Sequence, residues 1–254
     1  MKLLAIDLDQ TLLHTDKLVS DFTKNVFAKL DNRDDIKVIV ATGRSYLRAN
    51  NYVEAIKADG IISLNGAKTS YHSKIVSEYP VDETNAKDLI ESLLKLPDTY
   101  VNITYPDVIL TNNETLVTGD HVHEYTNYSL INTKEIQKIS LVTRHPELIL
   151  NFDTSPYHCK LITAKNNPTY FVLLNEKVSK LTGLEDLCRH LNITLKDVIA
   201  FGDDYNDLDL LMNAGQAIVV DNGAPEIKQY ATTICESNDQ DGVAKWIAQH
   251  ILNE

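Results

Sequence analysis

Five short apolar runs, each followed by a cluster of polar residues, constrain this chain more than any other feature. They are 2–6 (KLLAI), 36–40 (IKVIV), 60–64 (GIISL), 197–201 (DVIAF) and 216–220 (QAIVV). Runs of this kind fit strands buried on both faces, because a parallel sheet is covered by helices above and below. Helical spacing fills the intervals. Ser20 is placed to cap a helix over about 21–30, where Phe22, Val26, Phe27 and Leu30 recur on one face. Further helices are expected over about 45–58, 180–191, 206–213 and 241–252. The alternation predicts an α/β fold with a doubly wound parallel sheet.

The middle of the chain follows a different pattern. Hairpin strands around 68–81 precede an amphipathic helix over about 83–96, and β-rich segments follow at 99–105, 108–111, 136–143, 158–164 and 169–174. The economical reading is a discontinuous core of residues 1–81 and 177–254, with an α+β module of residues 82–176 inserted into it.

In a doubly wound sheet the ligand crevice lies outside the carboxyl ends of the strands. Asp7-Leu8-Asp9-Gln10-Thr11 stands directly after the first strand. Its two neighbouring acids disfavour each other's ionisation, so one can serve as a nucleophile while the other holds a proton for a leaving group. Thr42-Gly43-Arg44 closes the second strand, where Thr42 offers a hydroxyl and a backbone N–H and Gly43 permits close approach by a phosphoryl oxygen. Gly202-Asp203-Asp204-Tyr205-Asn206-Asp207 closes another. Carboxylates gathered from separate strand ends are costly without a cation, and Mg²⁺ resolves that conflict.

The ordered set Asp7-x-Asp9-x-Thr11, Thr42-Gly43-Arg44, Lys180 and Gly202-Asp203-x-x-Asn206-Asp207 resembles the four motifs of the haloacid dehalogenase superfamily. Its Cof-type sugar-phosphate phosphatases are the closest resemblance. Asn65-Gly66-Ala67 and Asn238-Asp239-x-Asp241-Gly242-Val243 are similar to further landmarks of that group. Two positions depart from its pattern. Leu181 stands where a glycine commonly follows the motif lysine, and Val219-Val220-Asp221-Asn222-Gly223 replaces an A-M-G-N-A segment.

The resemblance implies a Rossmann-like core carrying a class II, subtype B cap between residues 82 and 176, which closes over the core and selects the substrate. It implies that Asp7 attacks phosphorus to form an aspartyl-phosphate, and that Asp9, with a raised pKa, protonates the leaving group and then activates water. Leu8, Thr42, Gly43, Lys180 and Asn206 are implied to bind the phosphoryl group. Mg²⁺ is implied to be held by the Asp7 carboxylate, the Asp9 backbone carbonyl and the Asp203 carboxylate, with Asp207 orienting Lys180 or metal-bound water. The expected activity is Mg²⁺-dependent hydrolysis of small phosphate monoesters, sugar phosphates above all. A phosphomannomutase-type phosphomutase is the alternative on the same scaffold, and a non-catalytic phosphate-binding module is a third reading. Asp9 and Lys180 argue against the last, since a mere acceptor has no use for a leaving-group acid. Dehalogenation needs neither Asp9 nor Mg²⁺.

Composition narrows the partners. A formal net charge of −12 disfavours nucleic acid and anionic membrane surfaces, both of which are bound through Lys and Arg. The N-terminal apolar run meets Asp7 too soon to be a signal or membrane segment, so a cytoplasmic location is expected. Cys159, Cys188 and Cys235 lack any C-x-x-C spacing and are read as reduced thiols. His121 and His123 are read as a surface pair rather than a metal site, and His145 and His158 as isolated. Tyr100, Tyr105, Tyr125, Tyr128, Tyr157 and Tyr170 are expected to fill or edge the core of the insert.

Overall fold

The computed structural model describes residues 1–31, 33–113, 121–127, 131–164 and 167–254, so Tyr128 lies outside the described residues. The chain divides into two compact units, Met1–Glu78 with Ser179–Glu254, and Tyr79–Val178.

The first unit is built on an eight-stranded sheet. In chain order its strands are β1 (Lys2–Ile6), β2 (Ile36–Ala41), β3 (Gly60–Ser63), β4 (Lys68–Tyr71), β5 (Lys74–Glu78), and, after the second unit, β12 (Val198–Gly202), β13 (Gln216–Val220) and β14 (Thr233–Cys235). Their spatial order is β14-β13-β12-β1-β2-β3-β4-β5. From β14 to β3 every pairing is parallel, while β4 and β5 add an antiparallel hairpin at one edge. Register places Leu3 beside Val198 and Lys37, so β1 runs at the centre with β12 and β2 on its two sides.

Strand periodicity explains why these runs are apolar throughout. Leu4, Ile6, Val38 and Val40 point to one face and meet Val26, Phe27 and Leu30 of α1 (Asp21–Leu30), Ala49 of α2 (Tyr46–Ala55) and Val243, Trp246 and Ile247 of α8 (Gly242–Ile247). Leu3, Ala5, Ile39 and Ala41 point to the other and meet Leu184 and Leu187 of α5 (Lys180–Leu191), Leu210 and Leu211 of α6 (Leu208–Asn213) and Ile227 of α7 (Pro225–Lys228). Each fully buried aliphatic side chain here contributes about 1.5–3 kcal/mol relative to exposure. Strand order reverses between β1 and β12, with α1 after β1 on one face and α6 after β12 on the other, so the carboxyl ends of these two strands form the topological switch point of the sheet.

The second unit carries helix α3 (Glu83–Leu94), capped by the Asp82 side chain on the Thr84 N–H at 2.9 Å. Its strands are β6 (Thr99–Thr104), β7 (Ile109–Thr111), β8 (Val122–Glu124), β9 (Lys138–Thr143), β10 (Cys159–Ala164) and β11 (Asn167–Asn175), with the short helix α4 (Pro146–Leu150) between β9 and β10. They form a separate sheet in the order β10-β11-β9-β6-β7-β8, antiparallel except for the β7–β8 pair. Leu89, Ile90 and Leu93 of α3 bury against Val101, Ile103, Ile139, Leu141 and Phe171.

Several elements differ from the sequence expectation. The helix expected over 206–213 is a 3₁₀ turn, Tyr205–Asp207, followed by α6, because Asp204 and Asp207 make a reciprocal capping box. Strands β8 and β14 have three residues each and helices α4 and α7 five and four, too short for any periodicity to register. Among the described residues no helix is long and apolar enough to cross a membrane.

Candidate active site

Three strand ends converge at the switch point: Asp7 follows β1, Thr42 follows β2 and Asp203 follows β12. The centre of the site is Lys180, first residue of α5, whose start is fixed by Ser179 accepting the Thr182 N–H at 3.0 Å. Lys180 is 1% exposed, and its Nζ donates to Asp7 Oδ1 and to Asp207 Oδ1, each at 2.6 Å. Burial opposes its charge, yet the two carboxylates outweigh that and raise its pKa. Asp207 is fully buried, and its Oδ2 accepts the N–H groups of Asp203 and Asp204 at 3.2 and 3.3 Å. Gly202 makes this possible, since a Cβ there would lie 2.6 Å from the Asp207 Cβ. Asp207 thus holds the Lys180 ammonium by direct contact.

The neighbouring carboxylates are held above their ordinary range. Burial raises the Asp7 pKa well above the usual value, with Asp207 and Asp203 adding to it and Lys180 opposing. Asp203 accepts the Thr11 hydroxyl at 2.9 Å; burial and then the charge of Asp207 push its carboxyl up to about 7. Asp7, Asp203 and Asp207 each offer an oxygen within 4.8 Å of the others. Three acids against one buried lysine leave the site short of positive charge, and an all-oxygen donor set is what a hard divalent cation such as Mg²⁺ prefers. The residues fit the ion.

A stability prediction follows from that deficit. A carboxyl raised in the folded state binds its proton more tightly there than in the unfolded chain, so its contribution worsens as pH rises from about 4 towards 7. Asp203→Asn is therefore expected to stabilise the metal-free protein at pH 8 by on the order of 1 kcal/mol, about 2–4 °C in Tm, with the gain shrinking at pH 5. Thermal unfolding in chelator at both pH values checks this, and an unchanged or lowered Tm at pH 8 contradicts it.

Asp9 departs from expectation. Its carboxylate receives a two-pronged contact from Arg44, Nε to Oδ2 at 2.7 Å and an Nη to Oδ1 at 2.6 Å, and a third bond from Lys17 Nζ at 2.9 Å. Burial would raise the Asp9 pKa, but these cations and their hydrogen bonds bring it down to about 2. The expected raised pKa is thus not found in this arrangement. Nor is Asp7 held up by Asp9; its like-charged neighbours are Asp207 and Asp203.

The phosphate-binding candidates are placed as follows. The Leu8 side chain is buried in the core, which leaves only its main chain to face a ligand. The Thr42 N–H is committed to the Ile62 carbonyl at 2.8 Å, a correction to the expectation that it is on offer, and the Thr42 hydroxyl accepts the Arg44 N–H at 3.2 Å. Asn206 donates to the Asn65 carboxamide at 3.3 Å, and a Cβ on Gly43 would lie 3.2 Å from the same Asn65 oxygen. Asn65 therefore sits between two of the candidates. Sequence reasoning gave no role to Thr11, Lys17, Arg44 or Asn65, although all but Lys17 lie inside quoted motifs. Of the two departures, Leu181 lies in the first turn of α5 and Asp221 pairs with Lys228 at 3.0 Å on the surface.

Cys159, Cys188 and Cys235 are unpaired and buried, and burial pushes each thiol upward. His121 and His123 are exposed, whereas His145 and His158 are not isolated as expected: each faces a carboxylate, Asp98 at 3.3 Å and Glu176 at 3.4 Å. Tyr105 is in the core of the second unit, with Tyr125 and Tyr157 packed against it.

A model of the haloacid dehalogenase-like hydrolases matches residues 4–247. The phosphatase YwpJ of Bacillus subtilis is 27% identical over 288 residues, covering 99% of this chain and 100% of that protein. The 5-amino-6-(5-phospho-D-ribitylamino)uracil phosphatase YitU of the same organism is 26% identical over 272 residues, covering 98% and 97%. Among solved structures, a haloacid dehalogenase-like hydrolase from Bacteroides thetaiotaomicron superposes with a TM-score of 0.87 at 22% identity, covering 98% of each chain.

Proposed function

The chain belongs to the haloacid dehalogenase-like hydrolases, and from that premise we propose that it is a Mg²⁺-dependent phosphatase of small phosphate monoesters, sugar phosphates above all. One observation carries the reading: a buried lysine, itself held by Asp207, contacts Asp7 at the switch point of the sheet. A carboxylate nucleophile and a fixed cation at one strand end are what attack on a phosphoryl group and neutralisation of its oxygens demand.

In this reading Asp7 forms a bond to phosphorus as the ester oxygen leaves, giving an aspartyl-phosphate. Asp9 gives the leaving alkoxide its proton, then takes one from the water that cleaves the acyl-phosphate. Because Arg44 and Lys17 hold Asp9 ionised, it must first take up a proton from water, which requires that a dianionic phosphate draw those cations away and so raise its pKa. Lys180, Thr42, Asn206 and the main chain at Leu8 and Gly43 bind the phosphoryl oxygens. Asp7, the Asp9 carbonyl and Asp203 would hold Mg²⁺, which would supply charge neutralisation for the phosphoryl group.

Residues 82–176 are assigned the choice of leaving group, because every residue of the reaction lies outside them. The relative YitU is named for a phosphate ester on a ribityl chain, which supports a polyol-type ester as the class to test first. A cytoplasmic location belongs to the same proposal, supported by the three buried thiols.

Asp9→Asn tests the acid–base assignment. In the phosphorylation step, read as single-turnover release of the leaving group, the loss on a hexose phosphate is expected to be about 10²-fold or more, against less than about tenfold on nitrophenyl phosphate, whose leaving group needs no proton. Equal losses on both would move Asp9 out of the role, and activity unchanged by exhaustive chelation would remove Mg²⁺.

A further inference from the structure

Asp9 is followed at once by an unusual stretch of main chain. Gln10 has φ 64, a left-handed conformation that costs a non-glycine residue on the order of 1 kcal/mol and persists only where its surroundings hold it. Within the same turn the N–H of Leu12 bonds the Asp7 carbonyl at 3.3 Å and that of Leu13 bonds the Leu8 carbonyl at 2.8 Å. The shape of this turn therefore sets where the Asp9 side chain begins.

Two asparagines from distant parts of the chain grip it. Asn222, in the loop after β13, donates from Nδ2 to the Gln10 carbonyl at 2.7 Å. Its Oδ1 accepts the Asn238 N–H at 2.8 Å, and Asn238 in turn donates from Nδ2 to the Leu13 carbonyl at 2.9 Å. Asn238 is 3% exposed, so its bond to the Leu13 carbonyl is shielded from water. Further along, Asp241 accepts the hydroxyls of Ser20 and Thr23 at 2.6 and 2.9 Å and meets His14 at 2.9 Å. Asp239 takes the Thr15 N–H at 2.7 Å.

We propose that Asn222 and Asn238 form a bracket that fixes the main chain at Gln10 and Leu13 and so positions Asp9 for proton transfer. They are positioning residues, acting through Asp9 and not on the substrate. This inference rests on the acid–base reading of Asp9 given above. Its physical content is that a carboxylate swinging from an unpinned turn spends less time aligned with the leaving oxygen, which costs rate without costing phosphate binding.

Asn222 is exposed, so Asn222→Ala is expected to fold. Asn222→Asp is the companion variant, keeping the acceptor for Asn238 but losing the donor to Gln10. Both are expected to slow the phosphorylation step, read as single-turnover release of the leaving group, about tenfold on an alkyl phosphate and less than threefold on nitrophenyl phosphate, with KM within about twofold. In an Asp9→Asn background the loss is expected to vanish, because the two changes disable one function. Equal loss on both substrates, or an undiminished loss without Asp9, overturns the proposal. Hydrogen exchange gives an arm independent of activity: the amides of Thr11, Leu12 and Leu13 are expected to exchange faster in Asn222→Ala. Unchanged exchange overturns the bracket, whereas a wild-type protein that hydrolyses neither ester overturns the phosphatase reading alone.

Discussion

Asp7→Asn is expected to lower turnover of any phosphate ester by at least about 10³-fold, on the scale found when a nucleophile is removed. The carboxamide is a poor nucleophile, and it also takes away a charge that faces Lys180 at 2.6 Å. The loss should fall on good and poor leaving groups alike, because the bond to phosphorus cannot form with either; this separates Asp7 from Asp9. The fold should survive. The Asp7 carboxyl is raised by burial, so its charge contributes little to stability, and an amide oxygen can still accept from Lys180. Steady-state rates with nitrophenyl phosphate and a hexose phosphate, beside a thermal melt, check both statements. Residual activity above a tenth of wild type would remove Asp7 from the reaction.

Lys180→Met should be the most damaging single change to stability within the site. The lysine is buried between Asp7 and Asp207, and its removal leaves two largely buried carboxylates without their counter-ion. Breaking a buried pair in this way costs about 3–5 kcal/mol, whereas replacing both partners by neutral groups is far milder. The double variant Lys180→Met/Asp207→Asn should therefore melt above the single one, although neither should turn over substrate. Asp207 also caps the N–H groups of Asp203 and Asp204, so some of the loss should persist. If the double variant is no more stable than the single one, the uncompensated charge is not the source of the damage.

The parallel core was legible because its strands carry their signal in themselves. A run such as KLLAI is apolar at both parities, and both faces of β1 are indeed covered. The insert was legible only in kind. Its antiparallel order, β10-β11-β9-β6-β7-β8, depends on pairings between distant segments that no local pattern encodes. At the site, Asp203, Lys180 and Asp207 were readable because their motifs follow strand ends or open a helix. The grip of Arg44 on Asp9 was not, since it arises only when β2 lies beside β1. Lys17 was missed for a related reason: nothing in a solvated loop announces that it turns back on the residue it follows. The low pKa of Asp9 came with those two omissions. Counting acids in the motif suggested mutual repulsion, while the decisive neighbours were cations outside the pair.

The central position of β1 has a consequence for biosynthesis. Leu3 pairs with Val198, so β1 waits for nearly 200 further residues before one of its two neighbours is made. Until residues 198–202 emerge, β1 is an edge strand, apolar on both faces and open to pairing with another chain. The second unit, by contrast, is continuous from Tyr79 to Val178 and closes its own sheet while the first is still incomplete. Synthesis therefore runs inside out: the inserted piece can settle early, and the part that carries the chemistry assembles last, across a long wait in which a nascent or prematurely ended chain displays its most aggregation-prone edge.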